Sequence, residues 1–540
     1  MDDFFQSNVK DPASQYSVRV PSMNGLSYNS SQEIIIYIDP SVKVFDPLET
    51  YVKFRVKLNS NMITKLYLDP KIGGQCLIRD ITIRSGAGVL LEELFAYNQY
   101  VHLQYSYNNR ECIKNKRVLL EGTTGTTNSN KPPMDDLGSA YLASEHGNDV
   151  FNSAWGNDDE VELCLPLHTG IFSNDKIFPN QLTDGLYIHI LLEADKNCIR
   201  QNPKVTSDAF ALRFLCDGTQ DPTLGGSGWT AGNATSSFYI QPNINLNPAN
   251  VEQFPFQVGE RFAFYNSGGQ IPNVGARIFE IEGVEIDGNF LKVTIGGADY
   301  DPGAVAANAI SNGDWMLSLE HHLAEATQPR YQITQCDLIV GAIEPPDSFY
   351  NTINQRLLDP ETGFITYDFQ SVQTYSQSVL ANNTAGTLLM PLNNTMCKSL
   401  LCKAHNTGNI TWQDALSNNF YKGVYDNLSQ YQFFYKNTYQ PDRPVRTSDI
   451  ENGGVAQQQL IELEKALYMA DISPENFNEF KDNFVIGRAV ALNKQIANLN
   501  NTDVQLNLNY STPSVNKLFR IFVAHIRGIE FRSGGITVQV

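Results

Sequence analysis

Apolar and polar residues alternate along much of this chain with a period of two, the mark of a strand with one face in a core and one in water. In YVKFRVKLN, Val52, Phe54, Val56 and Leu58 alternate with Lys53, Arg55 and Lys57; RDITIRSG repeats the pattern with Ile81 and Ile83 and ends in a Ser-Gly turn. The run LPLHTGIFSNDKIFPNQLTDGLYIHILLEA, Leu165 to Ala194, predicts two strands around a polar excursion with Pro179 and an Asp184-Gly185 turn. YQITQCDLIVGAIEPP is a further strand, stopped by Pro345 and Pro346. GFITYDF, GTLLMPL, SLLCKA, YQFFYKNTY, FVIGRAVAL, VQLNLNY, LFRIFVAHI and GITVQV continue the series of strands.

Helical periods are few. Glu93–Tyr107 reads as a short aromatic-rich helix, and SFYNTINQRLLD as a linking one. The best helix runs from Val455 to Ala470, with Ala456, Leu460, Leu463 and Leu467 at offsets of 4, 7 and 11 on one face. Residues 1–30 carry no sustained period and read as an extended arm. Gly122 to Asn157 is a Gly/Thr/Asn/Ser loop too long for a mere connection. Residues 199–329, rich in Gly, Asn and Pro, read as an insertion with at least one hairpin, VEIDGNFLKVTI, turning at Asp287-Gly288. Closing so long an insertion costs only about 2 kcal/mol more than closing a ten-residue loop.

Both halves of the chain run in the same order: strands, a helix midway, paired strands, a closing strand. That order predicts an all-β protein of two consecutive eight-stranded jelly-roll sandwiches with short helices and long insertions. An immunoglobulin-type tandem would show shorter units and no such helix. The expected boundaries are an arm at 1–30, a first jelly roll at 31–345 that includes the 199–329 insertion, and a second at 346–540.

Composition narrows the functions. A chain of 540 residues exceeds one core, and 42% hydrophobic content is enough for two. Only 18% of residues are charged, and the net charge is -19 with a pI near 4.9, which argues against a broad surface for phosphate backbones. The one basic cluster, Arg110, Lys114, Lys116 and Arg117, is interrupted by Glu111 and reads as a solvated loop. Cys76, Cys112, Cys164, Cys198, Cys216, Cys336, Cys397 and Cys402 form no CxxC pair and no disulfide framework. MDDFFQSNVK is acidic and lacks an apolar core, unlike a signal peptide, and no run of eighteen apolar residues occurs. The expectation is a soluble chain folded in a reducing compartment.

Candidate chemistry is thin. His321, His322 and Glu325 in HHLAE offer a His and a Glu three apart, but zinc needs a third ligand and no partner spacing appears. Asp158, Asp159, Glu160 and Glu162 are adjacent acids in a polar loop, without the fixed separation that glycoside hydrolysis needs. DISPENFNEFKD begins like a calcium loop at Asp471 but lacks the turn glycine and has Asp482 where glutamate belongs. No GxSxG, phosphate-binding loop or dinucleotide fingerprint is present. His168 reads as a half-buried, hydrogen-bonded residue, and His189 as a strand residue at an edge or interface. The Asn-x-Ser/Thr triplets at Asn233, Asn393, Asn409 and Asn427 are expected by chance in such a composition. The expectation is therefore a protein that is not an enzyme, with no catalytic, cofactor-binding or metal residues and no cofactor.

The stretch Leu165–Pro166–Leu167, Pro179, then Leu186, Ile188, Ile190 and Glu193 resembles a segment of double jelly-roll major capsid proteins, in which a Leu/Ile-Pro-Leu strand precedes a strand L-x-I-x-I-x-x-E. ITQCDLIVGAIEPP looks like the strand that closes the first jelly roll in that lineage. Tyr431 to Val445, YQFFYKNTYQPDRPV, is similar to the YQF…YxPxxPI segment of virophage and polinton-like virus capsid proteins, with Val445 where Ile is commoner. The likeness runs in order from about residue 30 to 540 and is weakest over 199–329.

It implies a major capsid protein: a homotrimer whose six jelly rolls form a pseudo-hexagonal capsomer that tiles an icosahedral shell around double-stranded DNA. Implied partners are neighbouring capsomers and penton and minor capsid proteins, with little or no direct nucleic-acid binding and no transmembrane segment. The implied location is the virion, after synthesis in the host cytoplasm and assembly in cytoplasm or nucleus. Two rivals share the strands: a trimeric viral fibre or spike, which should carry shaft repeats, and a carbohydrate-binding or glycoside-active jelly roll, which should carry a signal peptide or a carboxylate pair.

Overall fold

A computed structural model of the protein describes residues 13–59, 66–69, 71–108, 116–117, 120–123, 160–201, 330–359, 363–407, 420–447, 457–475, 483–490, 496–512 and 515–539, together with strands within the insertion. In chain order the first sandwich contains β1 (Ser14–Pro21), β2 (Glu33–Ile38), β3 (Val44–Asn59), β4 (Ile78–Ser85), β5 (Leu90–Leu94), α1 (Tyr97–Tyr107), β6 (Val161–Pro166) and β7 (Leu186–Leu192). The insertion follows with β8 (Phe214–Cys216), β9 (Ser237–Pro242), β10 (Arg261–Asn266), β11 (Phe279–Asp287), β12 (Phe290–Gly296) and β13 (Trp315–Ser318). β14 (Arg330–Glu344) closes the first sandwich and α2 (Asp347–Leu358) links it to the next. The second contains β15 (Phe364–Val379), β16 (Ala385–Leu392), β17 (Cys397–Asn406), β18 (Leu428–Tyr435), β19 (Thr438–Arg446), α3 (Gln457–Met469), β20 (Val485–Ala489), β21 (Thr502–Tyr510), β22 (Lys517–Arg532) and β23 (Gly535–Gln539).

The two sandwiches have one topology. In the first, the sheets run β1-β14-β3-β6 and β2-β7-β4-β5; in the second, β15-β22-β17-β20 and β16-β21-β18-β19, with β23 added beside β22. Counted along the chain, each unit pairs its strands first-eighth-third-sixth and second-seventh-fourth-fifth, and each carries its helix between the fifth and sixth. This is the eight-stranded jelly roll, twice. The large insertion sits between the seventh and eighth strands of the first roll.

Alternation explains the layers. Ile34, Ile36 and Ile38 of β2 face Ile188 and Ile190 of β7 and Ile81 and Ile83 of β4, all buried, across from Val52, Phe54 and Val56 of β3. The second roll closes likewise over Leu388, Met390, Phe433, Val504, Leu506, Ile521 and Val523.

Four expectations shift. Residues 14–21, assigned to an arm, form β1, the first strand of the first roll, in register with β14 from Ser14↔Glu344 to Pro21↔Asp337. Its side chains are mostly exposed, with only Val18 and Val20 partly packed on the core, which is why no period showed. YQFFYKNTY is not one strand. Tyr435 pairs with Thr438 across Lys436 and Asn437, whose φ values of 52° and 60° make the tight two-residue turn that joins β18 to β19. Glu93 and Leu94 end β5 instead of opening a helix, so α1 starts at Tyr97. In α3 the buried side is Gln459, Glu462, Leu463, Ala466, Leu467 and Met469, with Leu460 only half-buried, a face rotated from the one the leucine spacing suggests.

The insertion is more ordered than a single hairpin. β10 pairs β11, β11 pairs β12, β12 pairs β9, β9 pairs β8, β8 pairs β13, and β13 pairs β10, all antiparallel. Six strands thus close a ring. The expected hairpin is β11–β12, with Asp287 still paired, opposite Phe290, where the sequence suggested the turn begins.

Candidate assembly site

The described residues contain no cluster of three or more His, Cys, Asp or Glu side chains able to hold a metal. Among the described residues the fold builds two large faces, one covered within the chain and one open.

The covered face is the outer side of β15-β22-β17-β20. Val372, Leu401, Phe522 and Ala524 point away from the second roll's own core and belong to the same apolar cluster as the first roll. Against them lie β5, α1 and the loop after β6. The Tyr100 and Phe522 rings are 5.4 Å apart, His102 stacks on Tyr421 at 5.5 Å, and Phe178 meets Tyr367 edge-on at 5.2 Å. Gly170 permits the closest approach: a Cβ there would lie 2.1 Å from the carbonyl oxygen of Gln370.

Several polar groups pair across this seam, while the buried Gln99 Oε1 and Gln104 Oε1 of α1 have no hydrogen-bond partner. The buried Glu92 carboxylate accepts from the backbone N–H of Gly170 (2.7 Å) and Ile171 (3.0 Å) and from Ser371 Oγ (3.0 Å) in the other roll. Burial pushes its carboxyl above the usual range, while those three donors oppose the shift. Thr374 Oγ1 donates to the Phe95 carbonyl at 2.8 Å, Tyr107 OH donates to the Asn483 carbonyl at 2.8 Å, and Lys403 Nζ, itself buried, lies 3.1 Å from His102 Nδ1. A cavity of about 540 Å³ opens along the seam, lined by Glu92, His168, Lys176, Asp368, Lys398 and Asp471, among others.

The open face is the outer side of β1-β14-β3-β6. Register places Arg19, Ile339 and Tyr51 in one row, Asp337, Lys53 and Cys164 in the next, and Gln335, Arg55 and Glu162 in a third. Asp337 is only 3% exposed beneath Arg19, 62% exposed, at 2.9 Å. Glu162 pairs with Lys53 at 2.7 Å and Arg55 at 3.5 Å, and these cations hold its carboxyl below the usual range.

The residues singled out from sequence fall as follows. His168 touches Tyr105 OH at 2.7 Å, and Tyr105 donates to Glu121 at 2.7 Å; burial pushes the imidazole down to about 3, so it stands neutral. His189 is not at an edge: β7 lies between β2 and β4, and its Nδ1 reaches Glu33 at 2.9 Å. Arg117 sits 3.4 Å from the Tyr105 ring centroid and Lys116 is exposed, while Arg110, Glu111 and Lys114 lie outside the described residues. His321, His322, Glu325, Asp158, Asp159, Asp482, Asn233 and Asn409 also lie outside them. Asp471 meets Lys398 at 3.1 Å and Glu160 is exposed, so neither set of acids assembles a site among the described residues. Sequence reasoning missed Ser371 and Glu92, which meet across 279 positions and carry no local signal.

No protein-family model and no curated protein matches the chain. Solved structures do. The PBCV-1 VP54 chain fitted into a cryo-EM reconstruction of the virophage Sputnik is 9% identical, with a TM-score of 0.50 over 99% of both chains. The Faustovirus major capsid protein is 8% identical at 0.49, over 98% of this chain and 92% of that one, and the PBCV-1 capsid model is 10% identical at 0.47 over 99% of both. At such identity the likeness concerns fold, and it rests on the first of these together with the strand order. This chain has the double jelly-roll fold. It shares that fold with the PBCV-1 VP54 chain.

Proposed function

We propose that the chain is the major capsid protein of an icosahedral double-stranded DNA virus, three copies of which form a pseudo-hexagonal capsomer of six jelly rolls. The observation that carries this reading is the exact repetition of one strand order in two rolls joined side by side by an apolar seam. A chain built from two similar units, joined by a contact whose matching surfaces recur at both ends, closes into a ring on repeating when the rotation per contact is a whole fraction of a turn. Three chains supply six units.

In this reading the partners are two further copies, neighbouring capsomers, and penton and minor capsid proteins, and the location is the virion after synthesis as a soluble protein and assembly in cytoplasm or nucleus. The insertion with its six-stranded ring forms an outward tower. The role is mechanical, not catalytic. A net charge of -19 suits an outer wall better than a genome-binding lining. Among the described residues no helix is long and apolar enough to cross a membrane.

Light scattering of the purified chain together with negative-stain microscopy tests this. A particle of three times 60.3 kDa with a hexagonal outline is expected. A monomer overturns the capsomer, and an elongated trimer points to a fibre or spike.

A further inference from the structure

Strand β17 sends alternate side chains to opposite sides. Leu400 and Cys402 enter the second roll's own core, whereas Leu401 faces the seam and Lys403, two residues on, follows it. Across the sheet Lys403 is in register with Val485 of β20, a seam-side residue, so Asn483 lies on the same face. The two side chains meet: Lys403 Nζ is 3.5 Å from Asn483 Oδ1. The first roll completes the cluster through α1. His102 places Nδ1 3.1 Å from the same Nζ, and Tyr107 OH donates to the Asn483 backbone carbonyl at 2.8 Å. Ser106 Oγ lies 3.4 Å from His102 Nδ1, and the Tyr421 ring stacks on the imidazole. Lys403 is 0% exposed, and Asn483, His102, Ser106, Tyr107 and Tyr421 are no more than 5% exposed.

A primary amine, a carboxamide and an imidazole are thus held together where water is excluded. An ammonium sealed in such a place carries a desolvation cost that an amide does not. Contact maintained for the life of the fold also makes the encounter effectively unimolecular. We infer that Lys403 and Asn483 join through an isopeptide bond with His102 as the base, and that docking of the first roll on the second assembles this self-modifying site.

The atoms and electrons balance with no oxidant or reductant. Lys403 Nζ gives one proton to His102 Nδ1, which accepts it in the tautomer that carries hydrogen on Nε2. The freed lone pair forms a bond to Asn483 Cγ, and the carbonyl electrons move onto Oδ1. A second proton passes from Nζ to Nδ2, and the Cγ–Nδ2 bond breaks as the carbonyl re-forms. Ammonia leaves, takes the proton held by the imidazole and departs as ammonium, which restores His102. The product closes a covalent loop around β18, β19 and α3, all of which lie between the two residues in the chain. Tension on these elements then passes into a covalent bond as well as the β17–β20 hydrogen bonds. The bond requires nothing of a second copy and stands apart from the capsomer reading.

The test is the intact mass of the purified full chain together with its peptide map. The mass should fall below that of the sequence by one ammonia, and the map should hold one branched peptide joining Lys403 to Asn483, with no tryptic cleavage after Lys403. Lys403→Arg and Asn483→Ala should each abolish the branched peptide and return the unlinked mass. In a His102→Gln chain sampled at intervals after a pulse of synthesis, linkage should be about 100-fold slower than in the wild type. Linkage at the wild-type rate in that variant overturns the role given to His102. A wild type of full sequence mass overturns the bond itself. So does an ammonia loss that maps to an unbranched asparagine, the mark of a succinimide, or a branched peptide that joins other residues. The wild type alone decides these last three outcomes, so a variant that fails to fold does not shield the bond from refutation.

Discussion

The two first-eighth-third-sixth sheets are built alike and finished in opposite ways. In the second roll the outer face is Val372, Leu401, Phe522 and Ala524, buried under the first roll. In the first roll the corresponding face is Arg19, Lys53, Arg55 and Glu162, open to water. A jelly roll needs only its inner faces for its own stability, so its outer faces are free to be written for whatever lies next to them. Where the neighbour is tethered in the same chain, the face is apolar and permanent. Where no neighbour is tethered, an apolar sheet of that size would be an aggregation hazard, and charge keeps it soluble.

Substitutions at the two faces should therefore differ steeply. Phe522→Ala removes a fully buried ring from the seam and is expected to cost about 3–5 kcal/mol, read as a lowered midpoint in urea unfolding. A loss below about 1 kcal/mol would mean that the seam contributes little to the fold. Gly170→Ala forces a Cβ against the Gln370 carbonyl and should cost about 1–3 kcal/mol, with faster proteolysis between the rolls.

Acidification should act in the same direction more gently. His525 lies buried in the second roll, its imidazole pushed down to about 4, and His168 stands near the seam at about 3. Both pKa values are depressed on folding, so the unfolded chain binds protons first, and stability present above about pH 6.5 is lost as pH falls toward 4. Glu92, raised by burial, works in the opposite sense. The histidine share is read by difference: His525→Asn should flatten the fall of melting temperature between pH 7 and pH 5, and an unchanged slope would exclude it. The smallest effect belongs to the open face, where Lys53→Ala should leave the stability of the monomeric fold within about 0.5 kcal/mol in the same urea titration.

Much of this architecture was legible in the sequence, for a physical reason. Strands with one wet face write a period of two, as in β3 and β21, and α3 shows the helical period. Where burial departs from that rule the pattern fades. β1 is wet on nearly both sides, so Val18 and Val20 alone could not announce it. α1 is buried nearly all round, with Asn98, Gln99 and His102 inside, so it reads as aromatic-rich but not amphipathic. The turn at Lys436 and Asn437 lacks the glycine that usually advertises a two-residue hairpin. The seam escaped entirely, since pairs such as Ser371 with Glu92 and Thr374 with Phe95 exist only once two distant units are placed together.

The closed ring in the insertion has a consequence for variation. The chain leaves the first roll past Glu193 and Asp195 and returns at Tyr331, whose N–H donates to Asp195 Oδ1 at 3.1 Å and whose hydroxyl donates to the Glu193 carbonyl at 2.5 Å. Departure and return are thus clamped at one point, and each of the six strands in the ring they frame is paired on both sides, with a two-residue seventh strand, Gly269–Gln270, added beside β10. Such a module is a self-contained cassette: its contents can diverge, or be exchanged for a foreign domain whose ends lie close together, without disturbing the strand order beneath it or exposing a sticky rim above it.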